Sequence, residues 1–220
     1  MSIGFIALLL TGGLVLFGAG QRALDRLRLT DRQALLWIAL IIAGGLLPDL
    51  RLTPRFSVNL GGAVAPLGLC LYLWVKADTA AEQARCLLAA LVTGAAVFAI
   101  GRLLPADPSA MPFDVNYLYG IAAGLIAWAF GRSRRGAFIA GVVGVTLAQV
   151  ASAATVWARG VNQTLSLGGA GGFDVVVVSG LLAVLMCELV GELAERAVRG
   201  SRQPARAWRG GDVQDKEARR

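Results

Sequence analysis

Blocks of apolar residues as long as a bilayer is thick constrain this chain more than any motif it carries. Several run for about 17–23 residues with few charges inside them, and roughly 20 apolar residues in a helix cross ~30 Å of hydrocarbon. Seven spans can be drawn, at about residues 2–19, 35–48, 57–76, 85–104, 114–131, 136–158 and 173–194. Inside a bilayer every backbone polar group must be satisfied internally, and the blocks lack the alternation of barrel strands, so helices are the expected form. The expectation is an all-α, polytopic transmembrane helix bundle over residues 1–196, with a basic, disordered tail over 197–220. Composition agrees, because only 16% of the residues are charged where a soluble domain has about 25%.

The arginines set an expected orientation. Arg22, Arg26, Arg28 and Arg32 follow the first block, Lys76 and Arg85 flank the turn after the third, and Arg132, Arg134 and Arg135 follow the fifth. The tail adds Arg196, Arg199, Arg202, Arg206 and Arg209. Seven spans put all of these on one side and leave Arg51, Arg55, Arg102 and Arg159 on the other. The positive-inside rule then places the N-terminus outside and the C-terminus in the cytoplasm of a multi-pass plasma-membrane protein. The first block has its positive charges after it, unlike a cleaved signal peptide. Trp37, Trp74, Trp128 and Trp157 fall near the ends of the drawn spans, as interfacial aromatics do.

The same topology explains a formal charge of +7 through loops near anionic lipid, so nucleic acid is not an expected partner. The expected partners are the bilayer itself, anionic lipid at the tail, and a second copy of the chain in a homodimer. There is no histidine, and Cys70, Cys86 and Cys187 form no CxxC pair. A zinc site or disulfide framework is not expected, nor is any metal or cofactor.

Polar residues near membrane depth gather at the outer ends of the spans. Asp49 closes span two in LLPDL, Asn59 opens span three in SVNLGGAVAPL, and Asp114 and Asn116 open span five in MPFDVNYLYG. Asn162 and Gln163 precede the run GGAGG, and Asp174 opens span seven. Two readings of this pattern stand open. A carboxylate in the first turn of a helix caps free N–H groups and complements the helix dipole, and glycines allow a tight packed turn. Alternatively, Asp114 and Asp174 face each other across an outward-open polar cavity lined by Asn59, Asn116, Gly168, Gly169, Gly171 and Gly172, where bare backbone can approach a ligand or ion. Arg102 and Arg159 lie on that side as potential ion-pair partners.

Other features have simpler expected roles. Pro66 should kink or loosen span three. Glu188, Glu192 and Glu195 share one face of span seven and are expected to pair with nearby arginines. Gln149, Ser152 and Thr155 stripe span six and are expected to make interhelical hydrogen bonds, and Gly120 and Gly124 to pack helices closely.

The segments NLGGAVAPLGLCLYLW (59–74) and LGGAGGFDVVVVSGLLAVLM (167–186) resemble an uncharacterised family of bacterial and archaeal membrane proteins, domain of unknown function 1614. The resemblance covers roughly residues 35–195. It carries over to Asn59, Gly61, Gly62, Pro66, Gly168, Gly169, Gly171 and Asp174, and implies an aspartate in the preceding span, where this chain has AQVASA and Gln149. It implies no activity. Three functions remain open: a small ion- or proton-coupled permease, a non-catalytic membrane scaffold or assembly factor, and an intramembrane aspartyl protease with Asp114 and Asp174 as its catalytic dyad. Against the last, Phe173 stands where that protease signature has glycine.

Overall fold

A computed structural model describes residues 29–103, 115–131, 133–171 and 174–200. Within these, the elements run α1 (Asp31–Gly45), β1 (Leu50–Thr53), β2 (Phe56–Val58), a π-helical turn (Leu60–Val64), α2 (Ala65–Val75), α3 (Ala80–Leu103), α4 (Val115–Gly131), α5 (Arg134–Ala158), β3 (Leu165–Leu167) and α6 (Val175–Gly200). The first drawn span, the tail beyond residue 200 and Asp114 lie outside the described residues.

Local chemistry fixes several boundaries. Thr30 caps α1 in a reciprocal box with Gln33: the Thr30 hydroxyl accepts from the Gln33 N–H at 3.3 Å, and the Gln33 carboxamide accepts from the Thr30 N–H at 3.1 Å. Ser133 caps α5 by accepting from the Gly136 N–H. Pro66 does not kink the middle of a long helix. It stands in the first turn of α2, where its missing N–H is cheapest. The loosening falls just before it, where the N–H groups of Val64 and Ala65 reach back five residues to the carbonyls of Asn59 and Leu60.

α5 is the central post. It packs against α3, α4 and α6, while α4 and α6 lie along each other. Its residues from Arg135 to Ala148 are almost continuously buried. One core joins Leu69, Leu73, Val97, Phe138, Val142 and Val145, and a second seam is nearly all alanine, with Ala89, Ala123, Ala127, Ala137, Ala140 and Ala183. The glycines expected to bring helices close do so: a Cβ on Gly120 would meet the Leu182 side chain at 2.6 Å, and one on Gly124 the Met186 side chain at 2.6 Å.

The expected all-α architecture needs one correction. β1 and β2 form an antiparallel hairpin, and β2 pairs in parallel with β3, so a three-stranded sheet sits at one end of the bundle. Residues 57 and 58, drawn as the start of a span, are therefore strand. The strands have only three or four residues each, too few to declare a period of two.

Ala80–Leu103, Arg134–Ala158 and Val175–Arg196 are long and apolar enough to cross a membrane; Arg32–Gly45, Leu60–Val75 and Leu118–Phe130 are apolar but shorter. Large apolar side chains face outward on these helices, among them Leu87, Leu88 and Leu91 on α3 and Leu185, Leu189 and Leu193 on α6. Trp74 and Trp157 end their helices and donate to the carbonyls of Gln83 and Gln163. Trp37 lies inside α1 against Tyr72, with ring centroids 6.4 Å apart.

Candidate functional site

The polar residues at the sheet end converge on Asn59. This side chain is 2% exposed and spends its whole hydrogen-bonding capacity. Its amide NH2 donates to the Leu47 carbonyl at 3.1 Å and to Asp49 Oδ1 at 3.0 Å, while its oxygen accepts from the N–H groups of Gly61 at 3.0 Å and Gly62 at 2.9 Å. Its backbone N–H donates to the Leu167 carbonyl. One residue thus ties the α1–β1 connection, the π-helical turn and β3 together. Asp49 extends the network, because its second oxygen accepts from the Ser166 hydroxyl at 2.7 Å. The hydrogen bonds from Ser166 and then Asn59 hold the Asp49 carboxyl below the ordinary carboxylate range.

Asp174 stands at the entry to α6 and is 8% exposed. Its Oδ1 accepts from the Val176 N–H at 3.1 Å and its Oδ2 from the Ala170 N–H at 3.4 Å, a helix cap joined to a clamp on the preceding turn. Burial pushes this carboxyl above its ordinary range; the two backbone hydrogen bonds pull it down, and the charge of Asp49 pushes it up again.

The glycines meet backbone. A Cβ on Gly62 would strike the Gly168 carbonyl and come within 2.7 Å of the Gly171 carbonyl oxygen; one on Gly61 would strike Gly45 and the Ile41 carbonyl. Gly168 and Gly171 adopt φ of 72° and 63°, which favours glycine. A Cβ on Gly169 would press on the Ser166 hydroxyl and lie 3.4 Å from Asp49 Oδ2. Three chain segments, ending α1, opening α2 and leading into α6, pack main chain against main chain beneath the carboxylates.

Of the residues singled out from sequence, Asn59, Gly168, Gly169, Gly171 and Asp174 come together. Asp114 and Gly172 lie outside the described residues, and Asn116 is described only as part of the first turn of α4. Asp49, noted at the end of LLPDL, and Ser166, which carried no signal, are the additions. Arg102 lies 4.9 Å from the Phe98 ring centroid, and among the described residues no arginine forms an ion pair with Asp49 or Asp174. Gln149 makes none of the expected interhelical hydrogen bonds, its carboxamide oxygen being buried without a partner, and Thr155 bonds back to the Ser152 carbonyl on its own helix.

The opposite end is built from charge. Arg134 pairs with Glu188 at 2.8 Å. Arg135, 7% exposed, donates to the Lys76 carbonyl and faces Asp78 and Glu82 at 3.5 and 3.6 Å. Glu192 pairs with Arg196 at 2.6 Å. The pairing expected for Glu188 and Glu192 is thus present.

A family described as "Protein of unknown function (DUF1614)" matches residues 29–186, which takes in both glycine segments and every described member of the Asn59 network. The chain belongs to this family. No curated protein and no solved structure matches it.

Proposed function

We propose that this member of the DUF1614 family is a multi-pass protein of the plasma membrane, N-terminus outside and C-terminus cytoplasmic, that works as a small proton- or cation-coupled permease. Asp174 is the ion-responsive group and Asp49 its partner. One observation carries the reading: Asp174 is a carboxylate only 8% exposed at a helix entry, and among the described residues no cationic side chain pairs with it. A carboxylate buried without a cation favours uptake of a proton or small cation. The Asn59 network suits the task, since Asn59 and Ser166 fix both oxygens of Asp49 beside the bare backbone of Gly169.

Membrane depth supports the same reading. Arg32–Gly45 would extend for roughly 21 Å at 1.5 Å per residue, short of the ~30 Å hydrocarbon layer. Irregular backbone at such depth is tolerated where protein buries it or where it lines a cavity, and broken, glycine-interrupted helices are a common way for transporters to hold ions.

The scaffold reading is favoured by a different observation: all four oxygens of Asp49 and Asp174 already accept hydrogen bonds, as purely structural carboxylates would. The protease reading requires Asp114 at Asp174, and Asp114 lies outside the described residues. Proteoliposomes loaded with a pH-sensitive dye separate permease from scaffold. Under an imposed gradient of protons, sodium or potassium, the wild type should move ions faster than protein-free vesicles. Asp174→Asn, which retains a helix cap, should fall to the protein-free rate with unchanged thermal unfolding. Wild-type vesicles no faster than protein-free ones under all three gradients would leave the scaffold reading standing.

A further inference from the structure

Between α1 and β2 the chain runs LLPDLRLTPR, residues 46–55. It takes in β1 and the tight turn at Pro54 and Arg55, and every residue from Leu50 to Arg55 is exposed. Leu46 is 84% exposed and Leu52 63%, and Leu47 and Leu50 are each half out. The backbone that carries these leucines is held in place. β1 pairs with β2, β2 with β3, and the hydrogen bond from Asn59 to Asp49 ties down the root of the hairpin. Apolar side chains gathered on fixed, exposed backbone mark a contact surface.

Two opposed demands narrow what covers it. The leucines ask for an apolar neighbour. β1, however, is an edge strand with no strand on its outer side among the described residues, and open sheet edges do not occur in the hydrocarbon of a bilayer. The boundary between acyl chains and headgroups meets both demands. Depth agrees, because Arg32–Gly45 covers roughly 21 Å of a ~30 Å hydrocarbon layer. The chain leaving α1 therefore reaches that boundary through Leu46 and Leu47.

Charge then selects the headgroup. Asp49, the acid of this segment, is turned onto Asn59 and Ser166. Arg51 and Arg55 are exposed, and among the described residues neither forms an ion pair. The hairpin thus presents positive charge outward with no negative charge beside it. A second copy paired edge to edge on β1 would gather four arginines at one seam, which like-charge repulsion disfavours.

We propose that this hairpin docks on anionic phospholipid, its leucines among the acyl chains and Arg51 and Arg55 on the headgroups. The inference rests on the membrane part of the proposed function and not on ion coupling.

The test is photocrosslinking of the full chain in nanodiscs of equimolar phosphatidylglycerol and phosphatidylcholine. The photoreactive residue is placed by Leu52→p-benzoylphenylalanine and, as a control, by Leu88→p-benzoylphenylalanine on the outward face of α3, where the leucine is half exposed. Adducts are identified by intact lipid mass. Leu88 should capture both lipids alike, whereas Leu52 should favour phosphatidylglycerol by about five-fold or more, the worth of one arginine near an anionic surface. Adding Arg51→Gln and Arg55→Gln, both at exposed positions, should bring the Leu52 preference down to that at Leu88. Three results would overturn the proposal: a phosphatidylglycerol excess at Leu52 no greater than at Leu88, an excess that survives loss of both arginines, or crosslinks from Leu52 to a second copy in place of lipid. Absence of lipid adducts at Leu88 as well would remove the membrane reading with it.

Discussion

The two ends of the bundle are joined by opposite means. At the sheet end, main chain meets main chain: Gly61 and Gly62 nest against Gly45, Gly168 and Gly171, and one saturated carboxamide, Asn59, laces the segments together. At the other end the helices are joined by short connections, and long side chains do the bridging: Arg135 reaches Lys76, Asp78 and Glu82, and Arg134 reaches Glu188. Flexible charged side chains can readjust by rotating, whereas backbone in contact has nowhere to move. The comparison teaches that the sheet end should be intolerant of added atoms and the charged end tolerant of them, independently of any activity.

Substitutions can break or sharpen that contrast. The largest effect is expected for Gly62→Ala, whose methyl would lie on the Gly168 carbonyl; a loss above ~4 kcal/mol, seen as failure to purify folded protein, is expected for backbone overpacking with no flexible neighbour to yield. Gly68→Ala is its control, since that methyl meets only the Trp37 ring at 3.5 Å. Next comes Asn59→Ala, which leaves two glycine N–H groups and a carbonyl without their partner and should cost about 3 kcal/mol in thermal or denaturant unfolding in micelles. Arg135→Gln at the charged end should cost about 1–2 kcal/mol, because its acidic partners are 23–48% exposed and water screens them. A charged-end loss equal to that of Asn59→Ala would erase the contrast.

Two smaller effects refine it. Asp174 has a folded-state pKa above its ordinary 3.8. Its protonation therefore stabilises the fold fully below about 3.8, and that contribution is lost as pH rises through the raised value. Mild acidification through this interval should stabilise the wild type relative to Asp174→Asn. Asp49, with its pKa lowered by Ser166 and Asn59, contributes the opposite slope in a lower interval, so the difference between wild type and Asp174→Asn isolates the first group. A flat difference across pH would remove the titrating role from Asp174. The smallest effect is expected at Gly191, where a Cβ meets nothing within 4 Å; Gly191→Ala should raise stability by ~0.5–1 kcal/mol through helix propensity alone.

Much of the architecture was legible because hydrophobic burial is written in long blocks. The drawn spans 85–104, 114–131, 136–158 and 173–194 fall on α3 to α6 within a few residues, apart from the C-terminal end of α6. Gly120 and Gly124, at their GxxxG spacing, announced close helix approach. The sheet was not legible, because three-residue strands carry no period and β2 finds its parallel partner more than a hundred residues away. Ser166 was invisible for the same reason, its value lying entirely in a contact with Asp49 across 117 residues.

The sequence by itself determined that the chain would fold as apolar helices, that carboxylates and glycines would collect at their ends, and which arginines would serve the opposite end. Those follow from composition and local spacing, which act through burial and hydrogen bonding within a few residues. Tertiary structure alone decided that Ser166 reaches Asp49, that Asn59 has no capacity left for a ligand, and that the Gln149 carboxamide oxygen is buried without a partner among the described residues. Each of these depends on which segments lie side by side, and that is set by packing over distances along the chain that no local pattern encodes.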